Sequence, residues 1–129
     1  MAHPSLLDDY LAHYEASKRF GAGSRQAEAW EWAWDELERL VRNEPARALG
    51  VVIALIASAP DDATIAYVAA GPLENLLCYH GNEVIDEVER SASRDERFRR
   101  ALSGVWARAD MLPSIQARVA TAVGDIERL

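Results

Sequence analysis

A single cysteine, Cys78, is all the thiol chemistry this chain has. That excludes an internal disulfide and a cysteine-based metal cluster. Long apolar runs are missing too. The longest, from Ala48 to Ala59, contains Gly50 and Ser58. It falls well short of the ~20 residues that span a bilayer, so it reads as a buried helix and no membrane association is expected. The N-terminus lacks a basic segment followed by an apolar one, so no signal peptide is expected. No alternating strand pattern and no Asn-Gly or Asp-Gly hairpin signal occurs. A Gly-rich phosphate loop, a His-Glu-x-x-His motif and a nucleophile elbow are all missing. His3 and His13 have no partners at ligand spacing and read as surface residues. No catalytic residue, metal site or cofactor is therefore assigned.

A basic excess is also lacking. The 129 residues carry a formal charge of −7. Residues 1–65 hold 11 acids and 6 bases, whereas residues 66–129 hold 10 and 8. Nucleic-acid binding is disfavoured, because it needs a basic face to displace counterions. An acidic surface favours a protein partner with a basic surface, or simply solubility. The lone cysteine and the missing leader together suggest the cytoplasm, and the Ala/Arg-rich, Lys-poor usage fits a bacterial source.

What is present is helix after helix. Half the residues are hydrophobic, enough for one core. The expected fold is all-α, a single-domain bundle or short HEAT-like stack of six to eight helices. An N-terminal helix and loop would fill residues 1–23. Two helical pairs would occupy 24–109, joined by a corner at 60–82, and a last helix would occupy 110–129. Ser5 with Asp8 resembles a capping box, and Leu7, Tyr10, Leu11 and Tyr14 make a stripe behind it. Gly21-Ala22-Gly23 closes that helix and Ser24 caps the next. Asn43-Glu44-Pro45 turns into a helix that is apolar nearly all round, hence central. Pro60-Asp61-Asp62 ends it and caps another. Ser93-Arg94-Asp95-Glu96 reads as a capping box for a helix with Phe98, Leu102, Val105, Trp106 and Ala109 on one face. Pro113 opens the last helix, with Ile115, Val119, Val123 and Ile126 on its stripe.

The helix expected at about 24–42 is the most informative for surface. Its periodicity puts Ala27, Trp30, Trp34, Leu37 and Val41 on a core face. Trp32 lies about 200° round from Trp30, at ~100° per residue, on a charged face shared with Arg25, Glu28, Glu36 and Arg39; its acidic neighbours are Glu28, Asp35 and Glu36. Two readings stand. A terminal helix covers Trp32, since large aromatics are seldom left bare; or Trp32 is a binding hot spot.

Gly71-Pro72 reads as a corner. Glycine at positive φ would stop one helix, and proline, without an N–H, suits the first turn of the next. Glu74 would meet that helix's positive end, and Leu73, Leu76, Leu77 and His80 would share a face. Gly81-Asn82 would interrupt the helix again, with Asn82 capping. Glu36-Leu37-Glu38-Arg39 recurs as Glu87-Val88-Glu89-Arg90, 51 residues later. Either the chain is a tandem of helical pairs, or Glu/Arg-rich helices resemble each other by chance.

The stretch Gly71-Pro72-Leu73-Glu74-x-Leu76-Leu77, with His80-Gly81 and then Phe98-Arg99-x-Ala101-Leu102-x-x-Val105-Trp106, resembles an uncharacterised family of small bacterial proteins, a domain of unknown function. The likeness covers about residues 30–119. It implies a helical fold and a bacterial origin, and no reaction. The family pattern often has an acid where this chain has Asn75.

Two functions follow as expectations. The first is a small acidic interaction module, such as an inhibitor or immunity protein for a basic toxin, with Trp32, Glu28, Asp35 and Glu36 on the contact surface. The second is a small-molecule-binding protein or enzyme with a pocket at Glu74, Asn75 and His80.

Overall fold

The computed structural model describes residues 5–106 and 108–129; His3 lies outside them. The chain is all-helical, with no strand among the described residues. The order is α1 Leu6–Phe20, α2 Arg25–Glu28, α3 Glu31–Asn43, α4 Pro45–Ser58, α5 Asp62–Val68, a π-helical turn Ala69–Leu73, α6 Glu74–Arg94, α7 Glu96–Leu102 and α8 Pro113–Val123. One core joins them. Leu37, Leu40, Leu49, Leu55, Ile56, Leu73, Leu76, Leu77, Ile85, Phe98 and Leu102 are all essentially inaccessible. The long α6 is the spine, packing on α3, α4, α7 and α8, while α1 lies over α2, α3 and α4.

Capping chemistry places many of the helix starts. The Ser5 Oγ accepts the Asp8 N–H at 3.2 Å, and the Ser24 Oγ accepts that of Ala27 at 3.1 Å. The Asp61 Oδ1 accepts both the Thr64 N–H, at 2.8 Å, and the Thr64 hydroxyl, at 2.7 Å. Such side chains satisfy N–H groups that the first turn leaves without partners. Pro45 and Pro113 each stand in the first turn, where a missing N–H costs nothing. Gly21 and Gly23 turn the chain between α1 and α2 at φ of 99° and 83°.

The Gly71-Pro72 corner does not form. Gly71 has no positive φ, and the chain runs from α5 into α6 through the π-turn. Proline in an α-helix would strike the carbonyl four residues back. Here the turn is widened, and the Glu74 N–H reaches the Ala69 carbonyl, five residues back. The bend comes later, at His80, whose φ of −134° and ψ of 32° leave the helical region. Asn82 caps nothing; it lies exposed within α6. Gly81 serves packing instead. A Cβ there would fall 2.7 Å from Ile115 Cγ1, so its absence lets α8 approach α6.

Other boundaries also differ from expectation. The helix expected at 24–42 breaks at Trp30, which takes φ −117°, ψ 9° and starts α3. Ser93 remains inside α6, donating to the Arg90 carbonyl, and Asp95 caps α7. Helix α7 stops at Leu102 rather than reaching Ala109, and Trp106 stands 75% exposed on the loop that follows.

The two Glu-Arg segments end up alike. Glu36 pairs with Arg39 and Glu87 with Arg90, each pair three residues apart on its helix. Each helix is then followed, after one acidic residue, by another: Glu44 between α3 and α4, Asp95 between α6 and α7.

Candidate functional site

The face of α3 that enters the core is made by Ala33, Leu37, Leu40 and Val41, all buried. Trp30 and Trp34 were expected there and are not. Trp30 is half-buried against α1, and Trp34 is 38% exposed, essentially the same as Trp32 at 39%. The small Ala33 takes the inward position, and the bulky indoles flank it. This is how a helix sits close to its neighbours: the smallest side chain goes between the backbones.

Trp32 is exposed yet fixed. Its Nε1–H donates to the Asp9 carboxylate of α1 at 2.9 Å. The terminal helix therefore grips one edge of the indole, and 39% of the residue is left exposed. One turn on in α3, Asp35 is exposed and Glu36 is half-buried and paired with Arg39; Glu28, exposed, lies on α2 before the break at Trp30. Trp34 turns the other way, toward aromatics from α1 and α5. Tyr14 stacks on Tyr67 with centroids 4.1 Å apart, and Tyr10 lies tilted at 6.1 Å. Burial, first of all, raises the Tyr10 and Tyr67 hydroxyls above the usual range.

A cleft of about 370 Å³ opens between α1 and the segment from α2 to Trp30. It is lined by Ala12, Glu15, Ala16, Arg19, Phe20, Gln26, Ala29 and Trp30. Phe20 is 52% exposed at its mouth. His13, expected on the surface, is instead half-buried, with Nδ1 sealed from solvent and unpartnered; so is Ser17 Oγ, one turn on.

A second cluster gathers at Glu74. Its carboxylate is almost wholly buried; Oε1 accepts the Trp106 backbone N–H at 2.8 Å, and Oε2 faces Arg108 Nη1 at 3.5 Å. The same Nη1 donates to the Asn75 Oδ1 at 2.8 Å. Arg108 grips Asp110 with two further bonds and lies over the Tyr79 ring. Its guanidinium holds the Asp110 carboxyl below the usual carboxylate range. Neighbouring Cys78 has its thiol pushed up to about 11, chiefly by burial. These groups are spent on one another, and their joint effect is to hold the loop after α7 against α6.

His80 does not join them. Its Nε2 meets the Arg42 carbonyl at 3.0 Å and its Nδ1 meets Glu83 at 3.2 Å, so it ties the kink in α6 to the end of α3. The three residues expected to line one pocket thus divide, with Glu74 and Asn75 at Arg108 and His80 elsewhere. Helix geometry accounts for this, since six residues at ~100° each put His80 about 240° round from Glu74. Among the described residues no group of three or more His, Cys, Asp or Glu side chains is placed to hold a metal ion. Sequence reasoning missed Arg108 and the Trp106 amide as the partners of Glu74. The available signal was an acid on a stripe otherwise made of Leu73, Leu76 and Leu77.

Fold and surface together define a small all-helical protein whose polar groups mostly serve its own architecture. The chain belongs to the family described as "Family of unknown function (DUF6869)", whose model matches residues 21–126. No curated protein and no solved structure matches it. No helix of the described residues is long and apolar enough to cross a membrane.

Proposed function

We propose that this protein is an acidic interaction module, an inhibitor or immunity protein for a basic partner such as a toxin, acting in the bacterial cytoplasm. The observation that supports the reading is Trp32: a large aromatic, 39% exposed, held in place by Asp9 and followed one turn on in its helix by Asp35 and Glu36. A rigid amphipathic ring loses little entropy on binding, which is why tryptophan concentrates at hot spots. The acids Glu28, Asp35 and Glu36 would steer a basic protein and raise its association rate. No second reading is carried forward, because Glu74 and His80 do not converge on a cavity.

The test uses basic proteins encoded beside this gene, titrated against the purified chain. Trp32→Ala should weaken binding at least about tenfold, or roughly 1.4 kcal/mol. It should also lower stability by about 1–3 kcal/mol, since a side chain only 39% exposed loses packing as well as its hydrogen bond, so urea midpoints are read beside the affinity. Glu28→Lys with Glu36→Lys should slow association mainly at low salt. Affinity unaffected by all three changes would refute the assignment of this face.

A further inference from the structure

The cleft of about 370 Å³ between α1 and the segment from α2 to Trp30 owes its space to small residues. Ala12 and Ala16, one turn apart on α1, line one wall, and Ala29 lines the other. Longer side chains at these positions would fill it. Each wall also supplies an aromatic, Phe20 from α1 and Trp30 from the segment after α2. The helix breaks at Trp30, with φ −117° and ψ 9°, and the core position on α3 goes to Ala33. Trp30 is left half-buried in the cleft wall. Sites for small molecules have volumes of ~300–1,000 Å³ and combine apolar and aromatic walls with a few polar groups.

The charges of the lining are one acid and one base, Glu15 and Arg19. Glu15 is answered by Lys18, whose Nζ lies 3.3 Å from its carboxylate. Arg19 is not answered: among the described residues no carboxylate pairs with it, and its guanidinium lies over the Phe20 ring, 5.8 Å from the centroid. The one uncompensated charge of the lining is therefore positive, and it stands against an aromatic wall.

We propose that this cleft binds a small aromatic carboxylate, its ring between Phe20 and Trp30 and its carboxylate on the Arg19 guanidinium. Aromatic rings attract one another in offset and edge-to-face arrangements. The planar fork of arginine matches a carboxylate with two parallel hydrogen bonds. Gln26, on the wall opposite Arg19, adds an uncharged polar group to the lining. The site is separate from the Trp32 face, since neither Trp32 nor Asp9 lines the cleft, and it does not depend on the partner reading.

The probe is 2-naphthoate, with its uncharged counterpart 2-naphthamide, titrated against the whole chain and followed by the tryptophan indole N–H signals in nitrogen–proton NMR spectra. Trp30→Phe identifies the Trp30 signal. At up to ~1 mM, 2-naphthoate should move that signal, and 2-naphthamide should bind at least about tenfold more weakly. Arg19 and Ala29 are both exposed, so changes there stay out of the core, and urea midpoints verify folding. Arg19→Gln should weaken naphthoate binding at least about tenfold and leave naphthamide binding unchanged. Ala29→Trp, which fills the cleft, should weaken both. If the probe fails to bind, or moves other signals and leaves that of Trp30 in place, the site falls. If naphthoate and naphthamide bind equally, or Arg19→Gln has no effect on naphthoate, the carboxylate assignment is overturned. Naphthoate binding that survives Ala29→Trp overturns the cleft as its location.

Discussion

The Glu74 carboxylate accepts the backbone N–H of Trp106 across 32 residues of sequence, at 2.8 Å. A buried carboxylate needs hydrogen bonds to offset its desolvation. The Trp106 amide and Arg108 supply them, and in return the loop between α7 and α8 is held on α6. The most exposed tryptophan of the described residues is therefore presented by a backbone that a buried charge holds still.

Glu74→Ala should destabilise the fold by about 3 kcal/mol, because it strands the Trp106 amide and removes a partner of Arg108. Glu74→Gln keeps an acceptor for the amide and should cost about half as much. Urea denaturation of the two variants measures the difference. Equal losses would mean that the charge, rather than the acceptor, holds the loop.

Two glycines should respond oppositely. Gly71 has helical backbone and open space where a Cβ would project, so Gly71→Ala should be neutral or stabilise by up to ~1 kcal/mol. Gly81→Ala would drive a Cβ into Ile115 and should cost about 1–3 kcal/mol. In an Ile115→Ala background that second cost should shrink, since the clashing atoms are gone. Thermal or urea midpoints of the four variants decide it.

Cys78 should be slow to alkylate. Burial, before any charge effect, raises its thiol to about 11, so little thiolate exists near neutrality. At pH 8 its reaction with iodoacetamide should run at least about tenfold slower than that of free cysteine, and should accelerate when urea unfolds the protein. A native rate matching free cysteine would contradict the packing around Cys78.

Stability should fall on the acid side. The Asp62 carboxylate takes two bonds from Arg100, at 2.7 and 2.8 Å, which hold it below the usual carboxylate range. Arg118 does the same for Glu89. A depressed folded pKa gives stability that is present above the unfolded value, about 4, and is lost as pH falls through the folded one. The urea midpoint should therefore be flat from pH 7 to about 5 and drop below about 4. Arg100→Gln should make that drop shallower.

Local chemistry was legible in the sequence. Ser5, Ser24 and Asp61 cap the helices they precede, Pro45 and Pro113 open theirs, and the apolar stripes of α1 and α8 face the core as spaced, except Ile126, which lies beyond the end of α8 at Val123. Each depends on residues within one or two turns, so the signal is written in adjacent positions. Tertiary structure decided the rest. Gly71-Pro72 has the composition of a corner, yet the chain stays helical from α5 into α6, because a widened turn accommodates the proline. Trp30 and Trp34 have core spacing, yet Ala33 takes the core position, because the close approach of other elements to α3 leaves room for a methyl group and not an indole. Glu74 has the look of a dipole cap, yet its partners lie on a distant loop. A helical wheel orders the residues around an axis; only the packing of the other helices determines which side of it is inside.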